Sequence, residues 1–188
     1  KAARKYSFSK YGSRRSKIIS LNHSFHGRTL FTLTATGQDS FHKYFDPFVP
    51  DVVSVDADME SIRKEICGAC AVVIEPIQGE SGVRALDPEF VHALEKFCRK
   101  QDILLIVDEV QTGNGRTGKL YAYEHYGITP DIVTTAKGLA GGLPLGACLF
   151  FEKTEHVFSA GDHGSTFGGN PVCCAAAINV ISRLTDDF

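Results

Sequence analysis

A run of five apolar residues followed by two acids decides the fold: Ile103-Leu104-Leu105-Ile106-Val107-Asp108-Glu109. The run does not alternate apolar and polar residues, so a strand formed from it has both faces buried. Similar short apolar runs occur at residues 18–21, 71–74, 132–135 and 147–151. Strands of this kind are typical of a mainly parallel sheet that is covered by helices.

Helical segments separate these strands. The clearest predicted helix begins at Asp87-Pro88, where an N-cap residue is followed by proline at the first helical position. Its apolar side chains then share one helical face: Phe90, Val91, Leu94, Phe97 and Cys98. A second, alanine-rich helix is predicted from Asn170-Pro171 to about Leu184. The alternation of strands and helices indicates an α/β fold.

The composition excludes several classes of protein. The 188 residues include 20 Lys+Arg and 22 Asp+Glu, for a net charge of −2, and 43% are hydrophobic. These values exclude collagen-like, low-complexity and disordered chains. No apolar run approaches the roughly 18 residues that cross a bilayer, so no membrane partner is expected. No charged-then-apolar leader is visible, and we expect a cytoplasmic location.

The amino-terminal stretch is basic. Residues 1–17 carry seven Lys or Arg and no acid, with Tyr6, Phe8 and Tyr11 interleaved. Such a pattern faintly suggests nucleic acid. The other 171 residues hold 13 basic and 22 acidic side chains, which would repel phosphates. We therefore expect a solvated helix end and loop here, and no nucleic-acid partner.

The six cysteines lie mostly within apolar runs, which predicts buried thiols in a reducing cytoplasm. Cys67 and Cys70 have the spacing of a metal or redox pair, but the chain has no second pair to complete a zinc site. No His, Asp or Glu spacing suggests another metal, so none is expected.

Three predicted strands run into ionisable residues: Glu75, Asp108 and Lys137. Because ligands bind at the carboxyl ends of strands in open α/β sheets, these groups should share one edge. A partly buried lysine is suited to a Schiff base with an aldehyde cofactor. A carboxylate such as Asp108 would keep the pyridine nitrogen of pyridoxal phosphate protonated. A strand-end cap at Asp108 and a surface lysine at Lys137 fit these positions equally well.

The stretch 104–109 also looks like the magnesium-binding strand of a P-loop ATPase. That interpretation requires an upstream GxxxxGK[ST] loop, which the sequence does not contain.

Five ordered segments narrow the alternatives: Ser24-Phe25-His26-Gly27-Arg28-Thr29, Glu75-Pro76-Ile77-Gln78-Gly79-Glu80, Asp108-Glu109-Val110-Gln111-Thr112-Gly113, Ala136-Lys137-Gly138-Leu139, and residues 163–171, His-Gly-Ser-Thr-Phe-Gly-Gly-Asn-Pro. Together they closely resemble the class III (ornithine-type) pyridoxal-phosphate-dependent aminotransferases, over essentially all 188 residues. The resemblance implies an aspartate aminotransferase-like fold of type I, pyridoxal 5′-phosphate as cofactor, and a homodimer.

The same resemblance implies transfer of an amino group to 2-oxoglutarate. Within the family, residues 115–127 are most similar to members that use N-acetylornithine in arginine biosynthesis. Members that use ornithine, succinylornithine or 4-aminobutyrate share the core motifs, and a mutase that moves an amino group within one substrate is a further alternative.

The resemblance also implies roles for individual residues. Lys137 resembles the Schiff-base lysine, and Asp108 resembles the partner of the pyridine nitrogen. Gln111 matches the residue near the phenolic oxygen of the cofactor. Phe25 matches the aromatic residue that stacks on the ring, although a core aromatic would have the same sequence signal.

The resemblance implies roles for four further residues that do not concern the cofactor ring. Arg28 resembles the arginine that clamps a substrate carboxylate, and Glu80 a glutamate that neutralises a second arginine while the amino donor is bound. Ser165 and Thr166 match a loop that reaches the cofactor phosphate of the neighbouring subunit. Glu75 is expected to support the region around Glu80, and no catalytic role is assigned to any histidine.

Two parts of the family pattern are missing from the sequence. One is a Gly-Thr-Glu-Ala-Asn-like segment that forms much of the phosphate cup; the other is everything after the Asn170 helix, including the small domain. We therefore expect residues 1–188 to be a partial large domain. As an isolated polypeptide, the segment would be a non-catalytic fragment.

Overall fold

The computed structural model describes residues 1–184. Its strands are β1 (Lys17–Leu21), β2 (Val52–Val55), β3 (Ala69–Ile74), β4 (Ile77–Gln78), β5 (Arg84–Ala85), β6 (Leu104–Asp108), β7 (Ile132–Thr135) and β8 (Ala147–Phe150). Six of them form one sheet in the order β2-β1-β3-β6-β7-β8, and β4 and β5 form a separate hairpin. Within the large sheet only β7 and β8 pair antiparallel. The predicted mainly parallel sheet is confirmed.

The helices are α1 (Ala2–Tyr11), α2 (Leu30–Thr34), α3 (Asp39–His42), α4 (Met59–Glu65), α5 (Pro88–Gln101), α6 (Tyr123–Tyr126) and α7 (Pro171–Ile181), with 3₁₀ turns at Gly12–Arg14, Lys137–Ala140 and Glu152–Thr154. The predicted start of α5 is confirmed, because the Asp87 carboxylate accepts a hydrogen bond from the Phe90 backbone N–H at 2.9 Å. The helix ends at Asp102, which adopts a left-handed φ of 48°.

The last described helix, α7, is capped as its sequence predicts but is shorter. The Asn170 side chain accepts from the backbone N–H groups of Val172 and Cys173. The helix ends at Ile181, before the predicted end near Leu184. It is apolar on both faces, and Val172, Ile178 and Ile181 are exposed to solvent.

Helices cover both faces of the sheet. On one face α4 and α5 bury Ile62, Val91 and Leu94 against the strands. On the other face α1 buries Ala2, Ala3 and Tyr6, and these pack with Ile18, Ala71, Leu104 and Ile132. Full burial of one such large side chain contributes about 1.5–3 kcal/mol to the stability of the fold. The apolar contacts of the helices therefore stabilise the sheet from both sides.

The predicted solvated helix end and loop is confirmed for residues 8–14, which are exposed, whereas the first two turns of α1 pack on the sheet. Helix α1 runs for ten residues and packs on the sheet through its apolar face. The Arg4 guanidinium donates to the carbonyl oxygens of Ser16 and Pro50, both at 3.0 Å. Arg4 therefore fastens the helix to neighbouring loops.

The predicted burial of the cysteines is confirmed for Cys70, Cys98 and Cys173 and is wrong for Cys67 and Cys148, which are exposed. Burial raises the pKa of the Cys70 thiol to about 11 and that of Cys98 to about 12. All six thiols are free. Within residues 1–184 no cluster of His, Cys, Asp or Glu is arranged to hold a metal ion. None of the helices described above has the length and apolarity to cross a bilayer.

Candidate active site

The parallel strands bring the ionisable groups to one edge of the sheet. Ile74, which precedes Glu75, is in register with Val107. Asp108, the last residue of β6, is in register with Thr134 of β7, three residues before Lys137. The carboxyl ends of β3, β6 and β7 therefore lie side by side, as the pattern of apolar runs predicts.

Asp108 is held by three donors. Its carboxylate accepts a hydrogen bond from Val110 N–H at 3.1 Å and from the Thr134 hydroxyl at 3.2 Å. Its other oxygen lies 2.8 Å from His26 Nδ1. The side chain is only 11% exposed. A carboxylate fixed in this way can accept one more proton donor at the edge of the sheet in a defined direction.

His26 is the main site residue that the sequence did not reveal. Its side chain is 5% exposed, and its backbone N–H donates to the Thr36 hydroxyl at 3.0 Å. Its Nε2 atom is buried and has no partner within the described part of the chain. With the proton on Nδ1, the imidazole donates to Asp108. The only sequence signal was its place between Phe25 and Gly27 in the first motif.

Gly27 allows the turn that delivers His26. Its φ is 135°, and an added Cβ would lie 2.6 Å from the Thr32 hydroxyl oxygen. Both the backbone angle and the space exclude a side chain at this position.

Glu75 stabilises the same turn, which contains Phe25 and His26, by a hydrogen bond. Its side-chain Oε2 accepts the Phe25 backbone N–H at 2.9 Å, and the residue is 4% exposed. Burial raises the pKa of Glu75 to about 7, and the positive field of His26 opposes this effect. Glu75 therefore stabilises the Phe25 turn, and its expected support of the region around Glu80 stays a prediction.

Phe25 and Arg28 form an aromatic and cationic group next to this turn. The Phe25 ring is half-buried and meets the Phe41 ring edge-on, with 5.4 Å between centroids. The Arg28 guanidinium carbon lies 5.6 Å from the Phe25 ring and 5.3 Å from the Phe41 ring. Cation–π contacts thus orient an exposed guanidinium that has no ion-pair partner among residues 1–184 and can take an anion.

Lys137 and Gln111 are in direct contact. The Lys137 ammonium donates to Gln111 Oε1 at 2.6 Å. Lys137 is exposed in the part of the chain that the structure describes. The expectation that Lys137 is partly buried is therefore wrong for this part of the chain. Gln111 is confined on its other side, because a Cβ at Gly79 would lie 1.9 Å from Gln111 Nε2.

Glu109 follows Asp108, but its side chain faces the opposite way and has a structural role. It is fully buried, and its carboxylate accepts from the Thr112 hydroxyl and from the Tyr123 backbone N–H at 2.8 Å. Desolvation raises its pKa. Its carbonyl accepts from Gly113 N–H at 2.9 Å, so Glu109 anchors the loop after β6.

The structure does not join three of the predicted residues to this group. Glu80 is exposed in the loop between β4 and β5. Ser165 and Thr166 are exposed in the loop before α7. Among residues 1–184 none of the three has a hydrogen bond or ion pair with Lys137 or Asp108, and their roles stay predictions.

Comparisons of the sequence with known proteins identify relatives along the whole chain. The family described as aminotransferase class-III matches residues 1–188. The acetylornithine aminotransferase of Haemophilus ducreyi is 54% identical over 191 residues, covering 100% of this chain and 49% of that protein. The succinylornithine transaminase of Photorhabdus laumondii is 48% identical over 184 residues, covering 97% of this chain and 46% of that protein.

A comparison of structures gives a similar result. The ornithine aminotransferase of Toxoplasma gondii, whose structure has partial occupancy of PLP at the active site, superposes with a TM-score of 0.92 and 34% identity. The match covers 99% of this chain and 46% of that one. The chain therefore spans about half the length of the proteins that it resembles.

Proposed function

Because this chain belongs to the class-III aminotransferases, we propose that it forms the central part of the large domain of a transaminase that uses pyridoxal 5′-phosphate. The observation that carries the proposal is the His26–Asp108 pair at the end of β6, next to the Lys137–Gln111 pair that follows β7. A phosphate-cup segment before residue 1 and a small domain after residue 188 would complete the site.

The side chains at this edge fit the cofactor. A protonated pyridine nitrogen needs an acceptor, and Asp108 presents a shielded carboxylate with a fixed orientation. A flat ring needs an aromatic face, which the half-buried Phe25 can supply. An aldehyde needs an amine, and Lys137 begins the 3₁₀ turn just after the neighbouring strand β7. When bound, the cofactor supplies a conjugated ring that withdraws electrons from the carbon bearing the transferred amine.

Asp108 would keep the pyridine nitrogen protonated, and His26 would keep Asp108 in place. The carboxylate is fixed by Val110 N–H and the Thr134 hydroxyl as well, so it does not need to reorganise during the reaction.

Lys137 would attach the cofactor as a Schiff base and then act as the proton carrier. Its Nζ atom would be the group that takes up and returns the proton at the substrate carbon. Gln111 accepts from the ammonium at 2.6 Å in this structure, which supports its expected position near the phenolic oxygen.

Arg28 and Glu80 would bind the substrates. The guanidinium over Phe25 and Phe41 is exposed and suits a bidentate contact with a carboxylate. Glu80 would neutralise a second arginine that lies outside this chain, and would release it when a dicarboxylate acceptor replaces the donor.

Ser165 and Thr166 would serve the other subunit of a homodimer. Their loop is exposed, and among residues 1–184 neither residue has a hydrogen bond to Lys137, which supports a role away from the site of the same chain. The six free thiols support a cytoplasmic location.

The proposed donor is N-acetylornithine, which reacts at its terminal amine, and the proposed acceptor is 2-oxoglutarate, in arginine biosynthesis. The acetylornithine aminotransferase of Haemophilus ducreyi supports this choice at 54% identity. Succinylornithine is the second candidate, because a relative named for it is 48% identical. Ornithine and 4-aminobutyrate complete the set to be tested.

The first experiment replaces Lys137 by alanine in the full-length enzyme. We expect wild type with added pyridoxal 5′-phosphate to show the absorbance band of the covalently attached cofactor, and Lys137→Ala to lose it. Lys119→Ala, which changes another exposed lysine, should keep the band. A wild-type protein without the band, or a Lys137→Ala variant that retains it, would contradict the proposal.

A second experiment identifies the donor. Single-turnover reactions with N-acetylornithine, N-succinylornithine, ornithine and 4-aminobutyrate are followed by the loss of that band. A preference for free ornithine or 4-aminobutyrate would overturn the proposed substrate while leaving the transaminase intact. The 188 residues alone should bind the cofactor weakly, and tight binding would refute the need for the missing segments.

A further inference from the structure

The backbone around Lys137 adopts an unusual conformation. Lys137 has a positive φ of 45°, and Ala136 before it has φ −162° and ψ −142°. A lysine in the left-handed region is unfavourable unless its surroundings stabilise it. The direction in which the amine leaves the sheet therefore depends on the contacts that hold residues 135–137.

Asn114 makes two of those contacts. Its side-chain Nδ2 donates to the Thr135 hydroxyl oxygen at 3.0 Å and to the Ala136 carbonyl at 3.1 Å. These are the two residues directly before Lys137. The Ala136 carbonyl also accepts from Leu139 N–H at 3.0 Å, so it is held from two sides.

The orientation of the Asn114 amide serves these two bonds. Its Oδ1 atom is buried and has no partner among the described residues. A buried acceptor without a donor is unfavourable. Turning the amide over would place Oδ1 against the Ala136 carbonyl, and two acceptors would then face each other. The NH₂ group must therefore point toward the Lys137 turn.

Asn114 is itself held firmly. Its φ is 58°, a conformation that asparagine tolerates better than most residues. On one side Gly113 N–H donates to the carbonyl of the fully buried Glu109, and on the other Gly115 N–H donates to Leu120 O at 3.3 Å. Support thus runs from the end of β6 through Asn114 to Lys137.

We infer that Asn114 is a positioning residue for Lys137: its amide fixes the Thr135–Ala136 segment so that the lysine amine meets the cofactor aldehyde. The inference rests on the proposed function. It assigns Asn114 no contact with the cofactor or the substrate.

The test uses the full-length enzyme without cofactor and two ligands. Pyridoxal 5′-phosphate binds and then becomes attached to the lysine, and the rate is followed by absorbance. Pyridoxine 5′-phosphate, with an alcohol in place of the aldehyde, binds without attachment, and its affinity is measured by calorimetry. Asn114→Gly permits the left-handed backbone but removes the amide, and Asn114→Asp keeps the shape but replaces the NH₂ donor.

We expect both variants to attach pyridoxal 5′-phosphate about tenfold or more slowly than wild type, as for a misplaced reacting group. The affinity for pyridoxine 5′-phosphate should not change. An unchanged attachment rate would overturn the inference. So would an equal loss with both ligands, because a general disturbance of the site affects both.

Thr135→Val provides an independent arm, because it removes one acceptor of Asn114 while keeping the shape of the side chain. It should slow attachment in the same direction but less, and an unchanged rate would count against the inference even where the Asn114 variants fold poorly. Asn179→Ala, an exposed asparagine of α7, is the matched control. Absence of attachment in wild type would instead contradict the proposed function.

Discussion

The His26 Nδ1 atom lies 2.8 Å from Asp108 Oδ2, and the two residues are 82 positions apart in the sequence. The contact joins the loop after β1 to the end of β6 across β3, which lies between them in the sheet. Hydrogen bonds to a carboxylate are stronger where water is scarce. Asp108 therefore has a fixed orientation before any ligand arrives.

Replacing His26 by alanine should slow transamination by roughly 10- to 100-fold, because a hydrogen bond to a charged group contributes about 1.5–3 kcal/mol. The measurement is the single-turnover rate of the full-length enzyme at saturating donor. His156→Ala, which changes a histidine whose side chain is 90% exposed, should match wild type. A His26→Ala enzyme with the wild-type rate would show that the contact with Asp108 is not needed.

Glu75→Gln should change how stability depends on pH. Burial raises the pKa of Glu75 from an ordinary 4.5 to about 7. Between these values the unfolded chain loses the proton while the folded protein keeps it, so the free energy of unfolding of wild type falls as pH rises. The full penalty, about 3 kcal/mol, is present above pH 7.

A glutamine removes this penalty and can still accept from Phe25 N–H. The variant should equal wild type near pH 4 and be more stable above pH 7, as measured by chemical unfolding across this range. Glu155→Gln, at an exposed glutamate, should follow the wild-type curve. Parallel curves for Glu75→Gln and wild type would contradict the prediction.

Gly79→Ala should impair catalysis more than folding. The new Cβ would lie 1.9 Å from Gln111 Nε2, and a flexible side-chain end can move away at little cost to stability. That movement breaks the contact between Gln111 and Lys137. We expect a slower single-turnover reaction with a change in unfolding free energy of less than about 1 kcal/mol.

The same substitution in a Gln111→Ala background is its control. If Gly79 acts through Gln111, the second mutation should add little to the first, and the two effects should not be additive. Full additivity would mean that Gly79 affects the reaction by another route.

Asp102→Asn should destabilise the protein by about 1–2 kcal/mol at neutral pH. The Asp102 carboxylate accepts from the hydroxyls of Tyr11 at 2.7 Å and Tyr6 at 2.8 Å, and from Lys10 at 3.2 Å. Desolvation opposes ionisation, but these donors hold the pKa of Asp102 well below its ordinary value. The cluster fastens α1 to the end of α5.

The difference between Asp102→Asn and wild type should shrink in acid. As pH falls below about 4, the unfolded wild-type chain gains a proton that the folded protein does not bind, so wild type loses stability. The asparagine variant does not titrate. Unfolding free energies at several pH values check this, and a constant difference down to pH 2 would contradict it.

The apolar runs predicted β1, β3, β6, β7 and β8. The expected burial on both faces is confirmed for the first four, which are mostly buried. It is wrong for β8, an edge strand whose residues are exposed or half-buried. The predicted strand at 132–135 has the observed bounds of β7. Strand β2 was not predicted, because Val52–Val55 is a short edge strand in which only Val55 is buried. A half-exposed strand next to Pro50 and Asp51 carries a weak sequence signal.

The site was predictable where a strand end carries the residue, as for Asp108 and Lys137. Gln111, which contacts Lys137, was also named as a site residue from the sequence. His26 and Asn114 were not, because they reach the edge from loops whose course depends on tertiary packing. The positive φ angle at Lys137 likewise follows from the folded surroundings and has no local sequence signal.

The register between β6 and β7 fixes the positions of Asp108 and Lys137 relative to each other. Asp108 is paired with Thr134, and this pairing sets how far along the edge Lys137 emerges. Deleting one residue from either strand would shift the ladder by about 3.3 Å and turn the following side chains to the opposite face. Natural or engineered changes in chain length are therefore restricted to the connecting loops. Backbone geometry alone constrains the spacing between Asp108 and Lys137.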